Sequence, residues 1–129
     1  MTGVLVVSHS RMLAEGVKEL VDELSHGAVP VVAVGGGNPL GVSVAMVMEG
    51  ARALLAEPGV DGGVALGDLG GAIVALETAV EVGQLEGKLW IADAPLVEGA
   101  VAAVMAAAIG QGPDAVAAAA AEAGQLRKR

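Results

Sequence analysis

The chain has 129 residues, a formal net charge of −8 and no cysteine, which excludes disulfides, thiolate metal sites and cysteine nucleophiles. Three of its seven cations stand together as Arg127-Lys128-Arg129, and the others (Arg11, Lys18, Arg52, Lys88) are scattered singly. With one Trp, no Tyr and no Phe there is neither a basic stripe nor a stacking platform, so nucleic acid is not an expected partner.

The length fits one domain, over residues 1–129, able to bury roughly two-thirds of the surface of its unfolded chain. The first apolar run, Val4 to Val7, is continuous rather than alternating, as in a parallel strand covered on both faces. It runs into Ser8-His9-Ser10. Ser10 then suits the N-cap of a helix carrying Met12, Leu13, Val17, Leu20, Val21 and Leu24 at helical spacing. A second strand is expected over Val29 to Val34, followed by the turn Gly35-Gly36-Gly37-Asn38-Pro39-Leu40-Gly41. Val44, Val47, Ala51, Leu54 and Leu55 mark a second helix, closed by Pro58-Gly59.

Val64 to Leu66 reads as a third strand, with Gly67-Asp68-Leu69-Gly70-Gly71 after it and a helix on Ile73, Leu76 and Val80 ending near Gly83. Leu89 to Ala92 reads as a fourth, followed by Asp93-Ala94-Pro95 and a helix from Leu96 to Ile109. After Gly112, Pro113 starts a last helix through the alanine run Ala117 to Ala121, packed or facing a second copy. The methionines fall on helical stripes and read as core filler.

This alternation predicts an α/β fold: an open, mostly parallel, doubly wound sheet of about four or five strands with helices on both faces. The uncharged span from Val29 to Met48 is broken by its glycine turn, so no membrane helix is expected. No leader of basic and apolar segments is visible, and a cytoplasmic location follows as the expectation.

Open α/β sheets bind ligands beyond the carboxyl ends of their strands, where strand order reverses. In the order 2-1-3-4, the loops after the first and third strands are neighbours there, and His9 would face Asp68. A neutral imidazole is a competent nucleophile near neutral pH, and a carboxylate on its other nitrogen fixes the tautomer. Glycine turns at helix starts offer backbone N–H groups to phosphoryl oxygens. His9, Asp68 and Gly70-Gly71 thus suggest a phosphohistidine site, with either ring nitrogen available.

Each feature also has a plainer reading. A histidine after a strand is often structural, Asp68 suits a helix cap, and glycine turns serve as tight connections. His26 fits a surface position at a helix C-terminus, and Asp93 and Glu98 are favourable near a helix start. Two histidines, set apart, do not make a histidine-based zinc site, and no metal or cofactor is expected. No G-x-x-x-x-G-K-[ST] loop is present, nor G-x-G-x-x-G after the first strand, so nucleotide binding by this chain alone is unsupported. A carrier of phosphoryl groups fits better.

"VSHSRMLAEGVKELVDEL", "GDLGGAIVALETA" and "DAPLVEGAVAA" together resemble the phosphotransferase subunits of bacterial dihydroxyacetone kinases. Those belong with the mannose-type IIA domains of the phosphoenolpyruvate-dependent sugar phosphotransferase system. The resemblance runs from the first strand to about Gly110. It implies a homodimer and phosphorylation of His9 with Asp68 beside it. Phosphate would arrive from the small histidine-containing phosphocarrier protein and leave to ADP held on a nucleotide-binding kinase subunit, while a third subunit holds dihydroxyacetone. Phosphate contacts are expected from Ser10, Gly36, Ser43, Gly70 and Gly71. Here Gly41-Val42-Ser43 stands where the family usually has Gly-Thr-Ser, and Gly71 where it usually has serine, leaving more to backbone amides. No fused phosphocarrier domain is expected after Arg129. The alternatives are a IIA component of a mannose-type sugar transporter and a non-catalytic, ligand-binding regulatory module.

Overall fold

The computed structural model describes residues 1–129. The elements, in chain order, are β1 (Thr2–Ser8), α1 (Arg11–Leu24), β2 (Val31–Gly35), α2 (Val44–Ala56), β3 (Gly62–Gly67), α3 (Gly70–Val82), β4 (Leu89–Ile91), α4 (Leu96–Ala108) and α5 (Pro113–Glu122), then a short 3-10 turn at Ala123–Gln125. Four parallel strands form one sheet in the order β2-β1-β3-β4. The doubly wound architecture is therefore present, with four strands.

Side chains alternate across the sheet, so each strand feeds two cores. Val4 and Val6 of β1, with Val64 and Leu66 of β3, pack beneath α1, α4 and α5 among Val17, Val21, Val104 and Val116. Leu5, Val7 and Ala65 face the other way, beneath α2 and α3, among Val47, Leu54 and Leu76. Every residue of β1 and β3 is buried, which is why both read as unbroken apolar runs. Burying each such Val or Leu contributes about 1.5–3 kcal/mol.

Small residues let the helices come close. A Cβ at Gly50 of α2 would lie 2.3 Å from Val34 Cγ2, and one at Gly99 of α4 would lie 2.8 Å from Leu66 Cδ2. The alanine run forms α5, whose Val116 and Ala120 are buried against α4.

Three expectations need correction. The second strand starts at Val31 rather than Val29; Pro30 lacks an N–H for the ladder, although its carbonyl still accepts from Val4 N at 2.9 Å. The α1 stripe is narrower than its apolar pattern: Ala14, Val17 and Val21 face the core, while Met12, Leu13, Leu20 and Leu24 are exposed. A helix lying on a flat sheet buries only the arc turned toward it, and the leucines stand to one side of that arc. Met12 and Met105 are likewise exposed, so they are not core filler.

Candidate functional site

The order β2-β1-β3-β4 places the reversal of strand order between β1 and β3, and the site forms at their carboxyl ends. The ladder continues one residue past β3, where Asp68 N donates to Val7 O at 3.1 Å. That bond sets Asp68 beside the turn Ser8-His9-Ser10.

The Asp68 carboxylate accepts four hydrogen bonds. Oδ1 takes His9 Nδ1 at 3.0 Å and Leu69 N at 2.7 Å; Oδ2 takes His9 N at 3.0 Å and Ser8 Oγ at 2.9 Å. Burial by itself raises the pKa of this carboxyl. The bonds from the His9 backbone, the His9 ring, Ser8 and Leu69 outweigh it and hold Asp68 below its ordinary value of 3.8.

An ionised carboxylate only accepts, so His9 Nδ1 carries the proton and Nε2 of the neutral ring presents its lone pair. The ring is about one-third exposed, at 33%. Nε2 faces the start of α3, where a Cβ at Gly71 would lie 3.0 Å away. Only glycine leaves the ring this much room. The first two amides of α3, those of Gly70 and Gly71, have no acceptor inside the helix, and Leu69 provides no side-chain cap. A bare imidazole nitrogen thus stands next to an uncapped helix N-terminus, the partial positive end of the α3 dipole.

The remaining residues singled out from the sequence are arranged around this pair. Ser10 Oγ caps α1 by accepting from Leu13 N at 3.3 Å. Ser43 Oγ caps α2 from Met46 N at 3.2 Å and makes no bond to His9 or Asp68. Gly36 is tied in through its carbonyl, which accepts from Arg11 N at 2.8 Å, and Gly41 N donates to His9 O at 2.8 Å. The β2–α2 loop is thereby fastened to the backbone of the histidine turn. The Arg11 guanidinium lies over Gly37, with Nη2 3.0 Å from where a Cβ would stand.

Sequence reasoning passed over Ser8 and the Leu69 amide as site groups. Ser8 is fully buried, yet a serine ending a strand of valines was the available signal. Elsewhere, Glu98 pairs with Lys128, which holds its carboxyl below the usual range, and His26 stands exposed in a left-handed turn after α1.

A shallow cleft of about 300 Å³ lies beside the site, lined by Asp68, Leu69, Gly70, Ile73, Asp93 and Ala94. Clefts of about 420 and 500 Å³ border Lys18 and Asp22 along β2, away from His9, and converge no comparable set of groups. No group of three or more His, Asp or Glu side chains is placed to hold a metal ion. No helix is long and apolar enough to cross a membrane.

Comparison with known proteins matches residues 3–117 to the family model EIIA-man, described as the PTS system fructose IIA component. The chain is 34% identical over 123 residues to the "PEP-dependent dihydroxyacetone kinase, phosphoryl donor subunit DhaM" of Escherichia coli (strain K12), covering 90% of this chain and 25% of that protein. It is 30% identical over 120 residues to the "PEP-dependent dihydroxyacetone kinase 2, phosphoryl donor subunit DhaM" of Listeria innocua serovar 6a, covering 90% of this chain and 94% of that protein. The aligned part is thus a quarter of the Escherichia coli relative and nearly the whole Listeria one. Among solved structures, the protein of unknown function EF1359 superposes with a TM-score of 0.82 at 26% identity, over 99% of this chain and 98% of that one.

Proposed function

From a chain that belongs to the EIIA-man family of phosphotransferase-system IIA components, we propose a phosphoryl carrier that works through His9. Residues 1–129 act as one carrier domain in the cytoplasm, as a homodimer, without a cofactor. The carrying observation is the geometry of His9: Nδ1 is held by Asp68 and Nε2 is free beside the open N-terminus of α3.

The donor is the histidine-containing phosphocarrier protein, phosphorylated on its own imidazole. The lone pair of His9 Nε2 attacks phosphorus, the donor's nitrogen–phosphorus bond breaks, and its electron pair returns to the donor ring. His9 now bears the phosphoryl group on Nε2 and keeps its proton on Nδ1. Asp68 stabilises the positive charge that the ring takes on. The Gly70 and Gly71 amides and the α3 dipole offset charge on the phosphoryl oxygens. Ser10, Gly36 and Ser43 contribute by shaping the loops around the site, and the Ser10 hydroxyl, an acceptor for Leu13 N, keeps its own proton free to donate.

In the second half-reaction, a β-phosphate oxygen of ADP attacks, the Nε2–phosphorus bond breaks, and neutral His9 is regenerated with ATP as product. ADP is held on the nucleotide-binding subunit of a dihydroxyacetone kinase. This division of labour follows from charge. Phosphoryl transfer to a nucleotide needs cations around the equatorial oxygens, and Arg11 is the only cation among residues 8–11, 35–43 and 67–71, the segments that build this site. The partner brings the nucleotide, the metal and most of the positive charge. Exposed Met12 in the first turn of α1, with exposed Leu40 and Leu69 on the connections after β2 and β3, provides an apolar rim for it to dock on.

The description of the family as a fructose IIA component favours a second reading, a IIA component that passes phosphate to a sugar-transporter subunit. One experiment tests both. The protein is phosphorylated with phosphoenolpyruvate and the general phosphotransferase proteins, and intact mass reports one phosphoryl group per chain. The isolated phosphoprotein is then given Mg²⁺ and ADP with and without the kinase subunit. Rapid ATP formation only with the kinase subunit is the expected result. Equal rates in both tubes would defeat the carrier reading, and transfer only to a transporter IIB component would favour the second.

A further inference from the structure

The geometry points to Ser8 as a positioning residue that sets the tautomer of His9 by holding the far oxygen of Asp68. The Ser8 hydroxyl is fully buried at the end of β1. It donates to Asp68 Oδ2 at 2.9 Å and accepts from Ser10 N at 3.0 Å.

The carboxylate needs this second fastening. Oδ1 must point at His9 Nδ1, and without Ser8 the single bond from His9 N would be all that holds Oδ2 against rotation about the Cβ–Cγ bond. Ser8 and His9 N grip Oδ2, while Leu69 N shares Oδ1. Among these donors Ser8 is the only side chain other than the imidazole itself. It is therefore the only fastening that can be removed without touching the backbone. The same hydroxyl ties down the amide of Ser10, the cap of α1, so the carboxylate and the histidine turn move as one piece. Ser8 touches neither Nε2 nor the position of a phosphoryl group there; it acts through Asp68.

The rate part of the test rests on the carrier reading, whereas the spectroscopic part does not. The ring nitrogens of His9 are ¹⁵N-labelled and their shifts recorded above the histidine titration in wild type, Ser8→Ala, Ser8→Thr and Ser8→Cys, each checked for folding by circular dichroism. Wild type and Ser8→Thr, which keep a hydroxyl, are expected to show the Nδ1–H form. Ser8→Ala and Ser8→Cys are expected to gain the Nε2–H form and to take up phosphate about tenfold to a hundredfold more slowly. Where Ser8→Ala does not fold, Ser8→Cys carries the comparison, because its thiol fills the space and donates only weakly. A folded Ser8→Ala or Ser8→Cys with the wild-type tautomer and uptake overturns the inference. A protein that takes up no phosphate, yet whose tautomer follows Ser8, overturns the carrier reading alone and leaves the positioning role standing.

Discussion

Asp68 holds His9 at two points. One carboxylate oxygen meets the ring at Nδ1 and the other meets the backbone N–H of the same residue, each at 3.0 Å. The double grip fixes both the direction of the imidazole and its tautomer, and Nε2 is left without a partner in the chain. Asp68→Asn keeps the shape but can turn an amide N–H toward Nδ1 and so favour the wrong tautomer. Phosphate uptake by Asp68→Asn should fall by about 10²-fold or more. Unchanged rates in both transfer directions would remove Asp68 from the mechanism.

His9 should be the sole site of phosphorylation. His26 stands in the turn after α1, at the far end of a helix of 14 residues, which spans roughly 20 Å. His9→Ala should show no acid-labile phosphate by intact mass, and His26→Ala should match wild type. Label remaining on His9→Ala would move the site elsewhere.

Gly71→Ala separates the chemistry from the fold. Alanine is the better helix former by about 1 kcal/mol, so the thermal midpoint should hold or rise. The new methyl would stand 3.0 Å from His9 Nε2, where it crowds the ring and the phosphoryl group. Uptake should therefore fall by about threefold, and not more, because the family usually carries a Cβ here as serine, while stability does not fall. Full activity in Gly71→Ala would mean that the phosphoryl group lies on another side of the ring.

Asp68 also makes stability depend on pH. Its pKa is lowered in the folded protein, because the hydrogen bonds to the carboxylate outweigh burial. The stabilisation is present in full above the ordinary value of 3.8 and is lost as pH falls through the lower, folded-state value. The advantage of wild type over Asp68→Asn in urea unfolding should therefore shrink on acidification below the ordinary value. A difference that stays constant across that range would contradict the assignment.

Gly50 tests the packing that carries the site. A valine there would drive a methyl group into Val34, since even a Cβ comes within 2.3 Å of it. Gly50→Val should cost about 1–3 kcal/mol in denaturant unfolding, by pushing α2 off the sheet. Wild-type stability in that variant would show that α2 sits farther from β2 than described.

Some of this protein was legible in the residues alone. Continuous valine runs, helical stripes between them and glycine-rich turns after them specify parallel strands buried on both faces with helices returning over them. Each signal is local, set by side-chain period and turn chemistry within a few residues. The pairing of His9 with Asp68 followed one step later, because the strand order 2-1-3-4 makes their loops neighbours. Tertiary structure decided the rest. Which ring nitrogen is free depends on a bond between residues separated by 59 positions. That Ser8 turns inward to the carboxylate depends on where β3 ends relative to β1. Met12, Leu13, Leu20 and Leu24 show the same limit from the other side: their spacing marks a helix face, but only the width of the sheet beneath α1 decides which part of that face is covered. Local period reports which residues share a face, while burial and hydrogen-bond partners depend on what packs against it.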